Sequence, residues 1–340
     1  MKPRVYVAYA GGTIGMRPTT EGYAPHPGSL RRPIEALTAE SGDELPTVDL
    51  EEFDEPIDSS NATPATWSRI AELLYARRDD FDGFVVLHGT DTMAYTAAAL
   101  SFLLPDFDKP VVVTGSQVPM CVARSDGRQN LIGALQVAAL GEVREVCLLF
   151  GSKVLRGNRA TKVDATGLEA FDSPNFPALT TLGARIETNP ALAVRAAGRP
   201  RVLGCGLAHV AAVRLFPGIE ASVLASLCSP PLQGLVIEAY GAGNGPAADP
   251  DFVAVIREAT AAGVVIVLVT QCLRGSVTPG SYATGSALLQ AGAVPGYDMT
   301  TEAALTKLAV LLGEGLPARR VRELMTTDIA GELTVPAERA

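Results

Sequence analysis

The chain of 340 residues has no cysteine framework, no membrane-length apolar run and no basic tract. Its five cysteines, Cys121, Cys147, Cys205, Cys228 and Cys272, are odd in number, widely spaced and free of any C-x-x-C pair. They read as reduced thiols, not as a disulfide frame or a zinc site. The most apolar run, Val264 to Val269, has strand length, far below the ~20 residues a membrane span needs. At the N-terminus only Val5 to Ala10 separates Met1-Lys2-Pro3-Arg4 from Gly11-Gly12, too short for a signal h-region. These absences predict a cytoplasmic protein with no membrane partner. No Lys/Arg cluster exceeds the pairs Arg31-Arg32, Arg77-Arg78 and Arg319-Arg320, and 28 Lys+Arg against 37 Asp+Glu leave a net charge of −9. A phosphate backbone needs a basic patch, so nucleic acid is excluded as a general partner. His26, His88 and His209 show no metal-ligand spacing, and G-x-S-x-G, H-E-x-x-H and G-x-x-x-x-G-K-[ST] are all missing.

What is present belongs to a packed globular protein: hydrophobic residues make up 47% and charged residues 19%. The length predicts two domains of roughly 150 residues each. Val5-Tyr6-Val7-Ala8-Tyr9, Phe84-Val85-Val86-Leu87, Val111-Val112-Val113 and Val146 to Phe150 are near-continuous apolar runs, as in strands covered on both faces. Helical segments are expected between them: Trp67 to Arg77 behind a Thr63-Pro64 start, Thr92 to Leu104, and Leu131 to Leu140. This alternation predicts an α/β fold with a larger N-terminal, doubly wound, mainly parallel sheet over residues 1–185. Residues 186–205 lack periodicity and read as a connection. A smaller C-terminal α/β domain is expected over 206–340. Its strands are Val210 to Leu215, Gly234 to Ile237 and Val264 to Val269, and its helices Pro250 to Ala262, Thr301 to Leu312 and Pro317 to Met325.

Ligands of open parallel sheets bind beyond the carboxyl ends of the strands. Three strand ends here carry small, hydroxyl-rich turns: Ala10-Gly11-Gly12-Thr13-Ile14-Gly15, His88-Gly89-Thr90-Asp91-Thr92 and Thr114-Gly115-Ser116-Gln117. A fourth polar turn, Asp58-Ser59-Ser60-Asn61, follows Ile57. Each alone is readable as a tight turn or a helix cap; together they make one candidate site, because glycines let backbone N–H groups approach a ligand. Without a serine elbow or a metal, hydrolysis would need a threonine nucleophile, which is weak unless a neighbouring base takes its proton. A lysine positioned by a carboxylate and a hydroxyl can serve. Lys162, in Arg156-Gly157-Asn158-Arg159-Ala160-Thr161-Lys162, is a candidate, although spacing alone leaves it readable as a surface charge.

Along nearly its whole length the chain resembles the bacterial-type L-asparaginases, in particular the cytoplasmic type I group. The resemblance is carried by Tyr9 to Met16, Asp58-Ser59-Ser60, His88 to Ala97, Gly115-Ser116-Gln117, Arg156 to Arg159 with Lys162, and Tyr240-Gly241-Ala242-Gly243-Asn244. It implies Thr13 as nucleophile, Tyr23 close to it, and Thr90, Asp91 and Lys162 as a second catalytic group. It further implies Asp58, Ser59, Ser60, Thr90 and Asp91 as holders of the substrate, L-asparagine, with Asp91 accepting the α-ammonium. The implied reaction, in asparagine catabolism, yields L-aspartate and ammonia through a threonine-linked β-aspartyl acyl-enzyme, with no metal or other cofactor. Residues Arg17 to Gly28 read as a lid bringing Tyr23 in. A homodimer or homotetramer is implied, with Asn244 facing a neighbouring subunit's site. One departure stands out. Allosterically controlled type I members carry an arginine just before the Tyr-Gly-x-Gly-Asn segment, where this chain has Glu238, although Thr270-Gln271-Cys272 resembles the rest of the effector site. A carboxylate cannot replace a guanidinium that holds a carboxylate. Four other readings compete: a glutamine-preferring amidohydrolase, the amidase subunit of a tRNA-dependent amidotransferase, a non-catalytic amino-acid-binding module, and a nucleotide-binding dehydrogenase, the last disfavoured because Gly11-Gly12-x-x-Gly15 is not G-x-G-x-x-G. The second is disfavoured because Thr13 lies only 12 residues from the start.

Overall fold

A computed structural model describes residues 2–194, 196–204, 206, 208–278 and 283–335. The chain divides into two compact units, Met1–Val202 and Leu203–Ala340.

In chain order, the first unit contains β1 (Arg4–Gly11), the strands β2 (Met16–Thr19) and β3 (Gly22–Pro25), α1 (Arg31–Ser41), β4 (Thr47–Ile57), α2 (Pro64–Ala76), β5 (Gly83–Leu87), α3 (Met93–Leu103), β6 (Val111–Thr114) and α4 (Gly127–Leu140). It continues through β7 (Val146–Phe150), β8 (Lys153–Arg156), β9 (Thr161–Lys162), β10 (Phe171–Asp172), β11 (Thr180–Leu182) and β12 (Ile186–Thr188). Eight of these strands form one sheet in the order β12-β11-β8-β7-β6-β5-β1-β4. From β7 to β4 every pairing is parallel, and the three remaining pairings are antiparallel. The central strands are apolar because both faces are covered. On one face Val5, Val7, Tyr9, Val85, Leu87 and Leu149 pack with Leu37 of α1 and Leu131 and Leu135 of α4. On the other, Tyr6 and Phe84 meet Phe81 and Phe107 ring to ring, and α3 lies against β6 and β7. Each such fully buried side chain contributes roughly 1.5–3 kcal/mol. Pro64 at the first helical position and Thr63, whose backbone N–H donates to Thr66 Oγ1 at 3.2 Å, start α2 where the sequence predicts.

Residues 186–202, expected as a connection, belong to the first unit. Ile186–Thr188 pairs with β11, Val194 N donates to Glu145 Oε1 at 2.8 Å, and Ala197 N and Gly198 N donate to Asp106 Oδ1. The boundary therefore falls at 202/203 rather than after 185. Such edge strands are short and polar, so they leave no apolar run to read. Cys205, within the expected connection, lies outside the described residues.

The second unit holds β13 (Val210–Arg214), α5 (Ala221–Leu227), β14 (Gly234–Ala239), α6 (Pro250–Ala261), β15 (Val265–Thr270), α7 (Ala283–Gln290), β16 (Val294–Pro295), α8 (Thr301–Gly313) and α9 (Ala318–Met325). Its sheet, β13-β14-β15-β16, is parallel throughout. Leu235 and Ile237 face Phe252 and Ile256 of α6. The alternate residue Val236, with Val265 and Val267, faces Leu308 of α8 and Val321 of α9. Among the described residues no helix is long and apolar enough to cross a membrane.

Candidate active site

Because β4, β1, β5 and β6 run parallel, their carboxyl ends lie along one edge of the sheet, and the four polar turns begin there. Gly11 and Gly12 end β1 with φ of 138° and 91°, backbone that side-chain-bearing residues rarely adopt. Gly12 N donates to Ile57 O at 2.9 Å, tying the β1 end to the β4 end. A Cβ on Gly12 would lie 2.2 Å from Gly89 N, and one on Gly89 would lie 2.4 Å from Ser59 Oγ. Bare backbone thus lets three turns touch, and the half-buried Thr13 opens a single 3-10 turn on this floor.

The Asp58 turn is self-capped: Oδ1 accepts from Ser60 N at 2.9 Å and Ser60 Oγ at 2.8 Å. Ser59 is buried, and its carbonyl accepts from Thr92 Oγ1 at 2.7 Å, joining this turn to the start of α3. Thr90 is 6% exposed. Lys162 reaches it from β9: Nζ donates to Thr90 Oγ1 at 2.9 Å and to Asp91 Oδ1 at 2.7 Å. The Lys162 side chain is 20% exposed and that of Asp91 67%, so the lysine is held between a buried hydroxyl and a carboxylate open to a ligand. The reading of Lys162 as a plain surface charge therefore fails.

Supports of this centre went unassigned in the sequence. Thr90 Oγ1 donates to Gln117 Oε1 at 2.9 Å, Gln117 Nε2 donates to Gly167 O at 3.2 Å, and Gln117 N donates to the Asp126 carboxylate. Gly167 belongs to a turn closed by Asp164, whose Oδ1 accepts from Thr166 N and Gly167 N at 2.8 Å. Those two N–H bonds hold the Asp164 carboxyl below its ordinary range. The D-A-T-G spacing is a turn signature that could have pointed there; no local signal marks the long-range Gln117 contact. His88, fully buried, has Nδ1 2.8 Å from Gly89 O and Nε2 3.0 Å from Thr96 Oγ1. A carbonyl only accepts, so the ring hydrogen sits on Nδ1, and burial lowers the ring's pKa and keeps it neutral.

Each of the other predicted residues has its own local setting. Tyr23 stands on β3, paired with Pro18 of β2, and is 51% exposed. The segment expected as a lid is thus an antiparallel hairpin. Arg156 is a structural tie: its Nε meets Glu145 Oε2 at 2.7 Å and its guanidinium lies over Phe176. In the second unit, Asn244 closes a turn with Tyr240 through N–H···O bonds of 2.9 and 2.8 Å. Glu238 of β14 lies 3.7 Å from Arg214. Among the described residues no group of three or more His, Cys, Asp or Glu is placed to hold a metal ion.

Comparison with known proteins bears on the chain as a whole. The family described as asparaginase, N-terminal, matches residues 4–193, and the glutaminase/asparaginase C-terminal domain matches 209–325. The chain is 45% identical to L-asparaginase 1 of Escherichia coli (strain K12) over 342 residues, covering 98% of each chain. It is 42% identical to the 60 kDa lysophospholipase of Mus musculus, covering 98% of this chain and 63% of that one. Among solved structures, L-asparaginase I from Vibrio cholerae O1 biovar eltor superposes with a TM-score of 0.91 at 38% identity, covering 98% of this chain and 100% of the other.

Proposed function

Because the chain belongs to the asparaginase family, we propose that it is an L-asparaginase, hydrolysing L-asparagine to L-aspartate and ammonia at the carboxyl edge of its first sheet. The observation that carries this reading is Lys162 bridging the Thr90 hydroxyl and the Asp91 carboxylate, beside the turn that presents Thr13. Thr13 Oγ attacks the side-chain amide carbon, its proton passing to the leaving nitrogen. Backbone N–H groups of the turns, with Thr90, stabilise the oxyanion. Ammonia departs, and water, losing a proton to the Thr90–Lys162 pair, attacks the β-aspartyl ester carbon; the C–O bond to Thr13 breaks and the pair returns the proton to Thr13 Oγ. Asp91, open to solvent, accepts the substrate α-ammonium. The Asp58-Ser59-Ser60 turn holds the amino-acid head group. The β2–β3 hairpin closes Tyr23 over Thr13 and excludes water. We place the enzyme in the cytoplasm, as a homodimer or homotetramer needing no cofactor.

Thr13→Ala is expected to lower kcat for ammonia release from asparagine by at least ~10³-fold, with an unchanged circular dichroism spectrum. Turnover like that of the parent would remove Thr13 from the nucleophile's role. Asparagine is expected to exceed glutamine in kcat/KM; the reverse order would reassign the substrate.

A further inference from the structure

Resting on that reading, we propose that Gln117 is a positioning residue whose amide oxygen accepts the hydrogen bond of the Thr90 hydroxyl and so competes with Lys162 for that hydrogen. A lysine ammonium only donates, so when Lys162 is charged Thr90 Oγ1 accepts from it and the Thr90 hydrogen must turn elsewhere. The 2.9 Å contact to Gln117 Oε1 is where it goes. The amide cannot flip to offer a donor instead without setting its own oxygen against Gly167 O, to which Nε2 now donates. Asp126 fixes the Gln117 backbone, and Asn130 Nδ2, which donates to Asp126 Oδ2 at 3.1 Å and to Gly115 O at 2.9 Å, fixes Asp126 in turn. For Lys162 to act as base, the Thr90 O–H bond must break toward a neutral Nζ, forming the N–H bond there. The hydroxyl must therefore leave Gln117. The side chain stabilises the charged, resting arrangement against the active one.

The charged groups on the elements that carry or pack against the pair include Asp91 on the turn before α3, 2.7 Å from Nζ; Asp164 on the turn after β9; Asp172 of β10, the strand paired with β9, which is bonded to Lys153 of β8 at 3.4 Å; and Asp126 at the start of α4, facing the Gln117 backbone rather than its amide. A mutation of Gln117 thus changes one partner of the Thr90 hydroxyl and leaves these carboxylates in place.

The test uses the full-length protein with Gln117→Met and Gln117→Glu, both near the size of glutamine. Kcat for asparagine is followed against pH, and the side-chain resonance of Lys162 is titrated by NMR. Removing the acceptor in Gln117→Met is expected to move half-maximal kcat to lower pH. The added carboxylate in Gln117→Glu is expected to move it to higher pH by roughly one unit. The Lys162 titration should move in the same two directions. Displacements of opposite sign are not produced by a merely structural role. Half-maximal kcat and Lys162 titration unchanged in both variants, or moved the same way in both, would overturn the proposal. The two readouts also separate its failure from that of the proposed activity. A parent protein that hydrolyses no amide, yet whose Lys162 titration moves oppositely in the variants, loses the activity and keeps the role of Gln117.

Discussion

His88 lies one residue before the Gly89 that touches both Gly12 and Ser59, so its ring is fixed by the same crowding that assembles the site. Its neutrality has a thermodynamic consequence. Burial lowers the folded-state pKa below the ordinary value of 6.5, while the unfolded chain keeps that value. Between the two values the unfolded state binds the extra proton. The contribution of His88 is therefore complete above about pH 6.5 and is lost as the pH falls below it, at up to ~1.4 kcal/mol per pH unit. In urea titrations across this range His88→Gln is expected to flatten the dependence of stability on pH; an unaltered slope would mean that the ring is charged in the fold. The Gly12–Gly89–Ser59 contact shows the same economy of space. The glycines were visible in the sequence, but what each would strike, the Gly89 backbone for Gly12 and the Ser59 side chain for Gly89, was not.

Among the elements, the long apolar runs were the legible ones. β5, β7, β14 and β15 formed close to where their valines and leucines stood, and α6 and α8 began at the predicted Pro250 and Thr301. β4 was missed because Thr47–Ile57 carries Asp49, Glu51, Glu52, Asp54 and Glu55. It is tolerated as a strand because it is the edge of the sheet, where charge also blocks pairing with another chain. The C-terminal segment was missed for a different reason. Lys307 of α8 and Glu332 are both fully buried and hydrogen-bonded to each other, and Lys307 Nζ also donates to Thr327 O at 2.7 Å. Glu332 further accepts from Ile329 N and Ala330 N. Desolvation lowers the lysine pKa and raises that of the glutamate, and their mutual attraction opposes both. Glu332→Ala, which strands a buried ammonium, is expected to cost about 3–5 kcal/mol in chemical denaturation, and the double variant Lys307→Met with Glu332→Leu much less. Equal losses in both would show that packing rather than charge pairing holds this segment.

Over the whole molecule, the net charge of −9 argues against a general nucleic-acid partner but says nothing about the local field at the site, where Lys162 is set between Thr90 and Asp91. The effector site that the family resemblance implies lies far from the chemistry in sequence. In the second unit Glu238 occupies the position of the expected arginine. The Gln271 amide is occupied as well, donating to Leu215 O and Glu238 O. A carboxylate effector would meet a carboxylate there. Asparagine saturation is accordingly expected to be hyperbolic, with a Hill coefficient of about 1; a sigmoidal curve would require an effector site built from other residues.

Apolar runs of strand length, separated by helical segments, have few places to go other than a covered parallel sheet, so the order of residues alone was enough for the alternation of buried strands and helices and for polar turns that share one edge. It also supplied Thr13, Thr90, Asp91 and Lys162 as residue types suited to amide hydrolysis. It took the folded chain to show that Lys162 reaches Thr90 across seventy-two positions, that Gln117 takes the other side of that hydroxyl, and that the first unit runs on to Val202. Those outcomes depend on contacts between segments distant in the chain. Their geometry is set by packing and backbone close approach, and local residue patterns do not encode it.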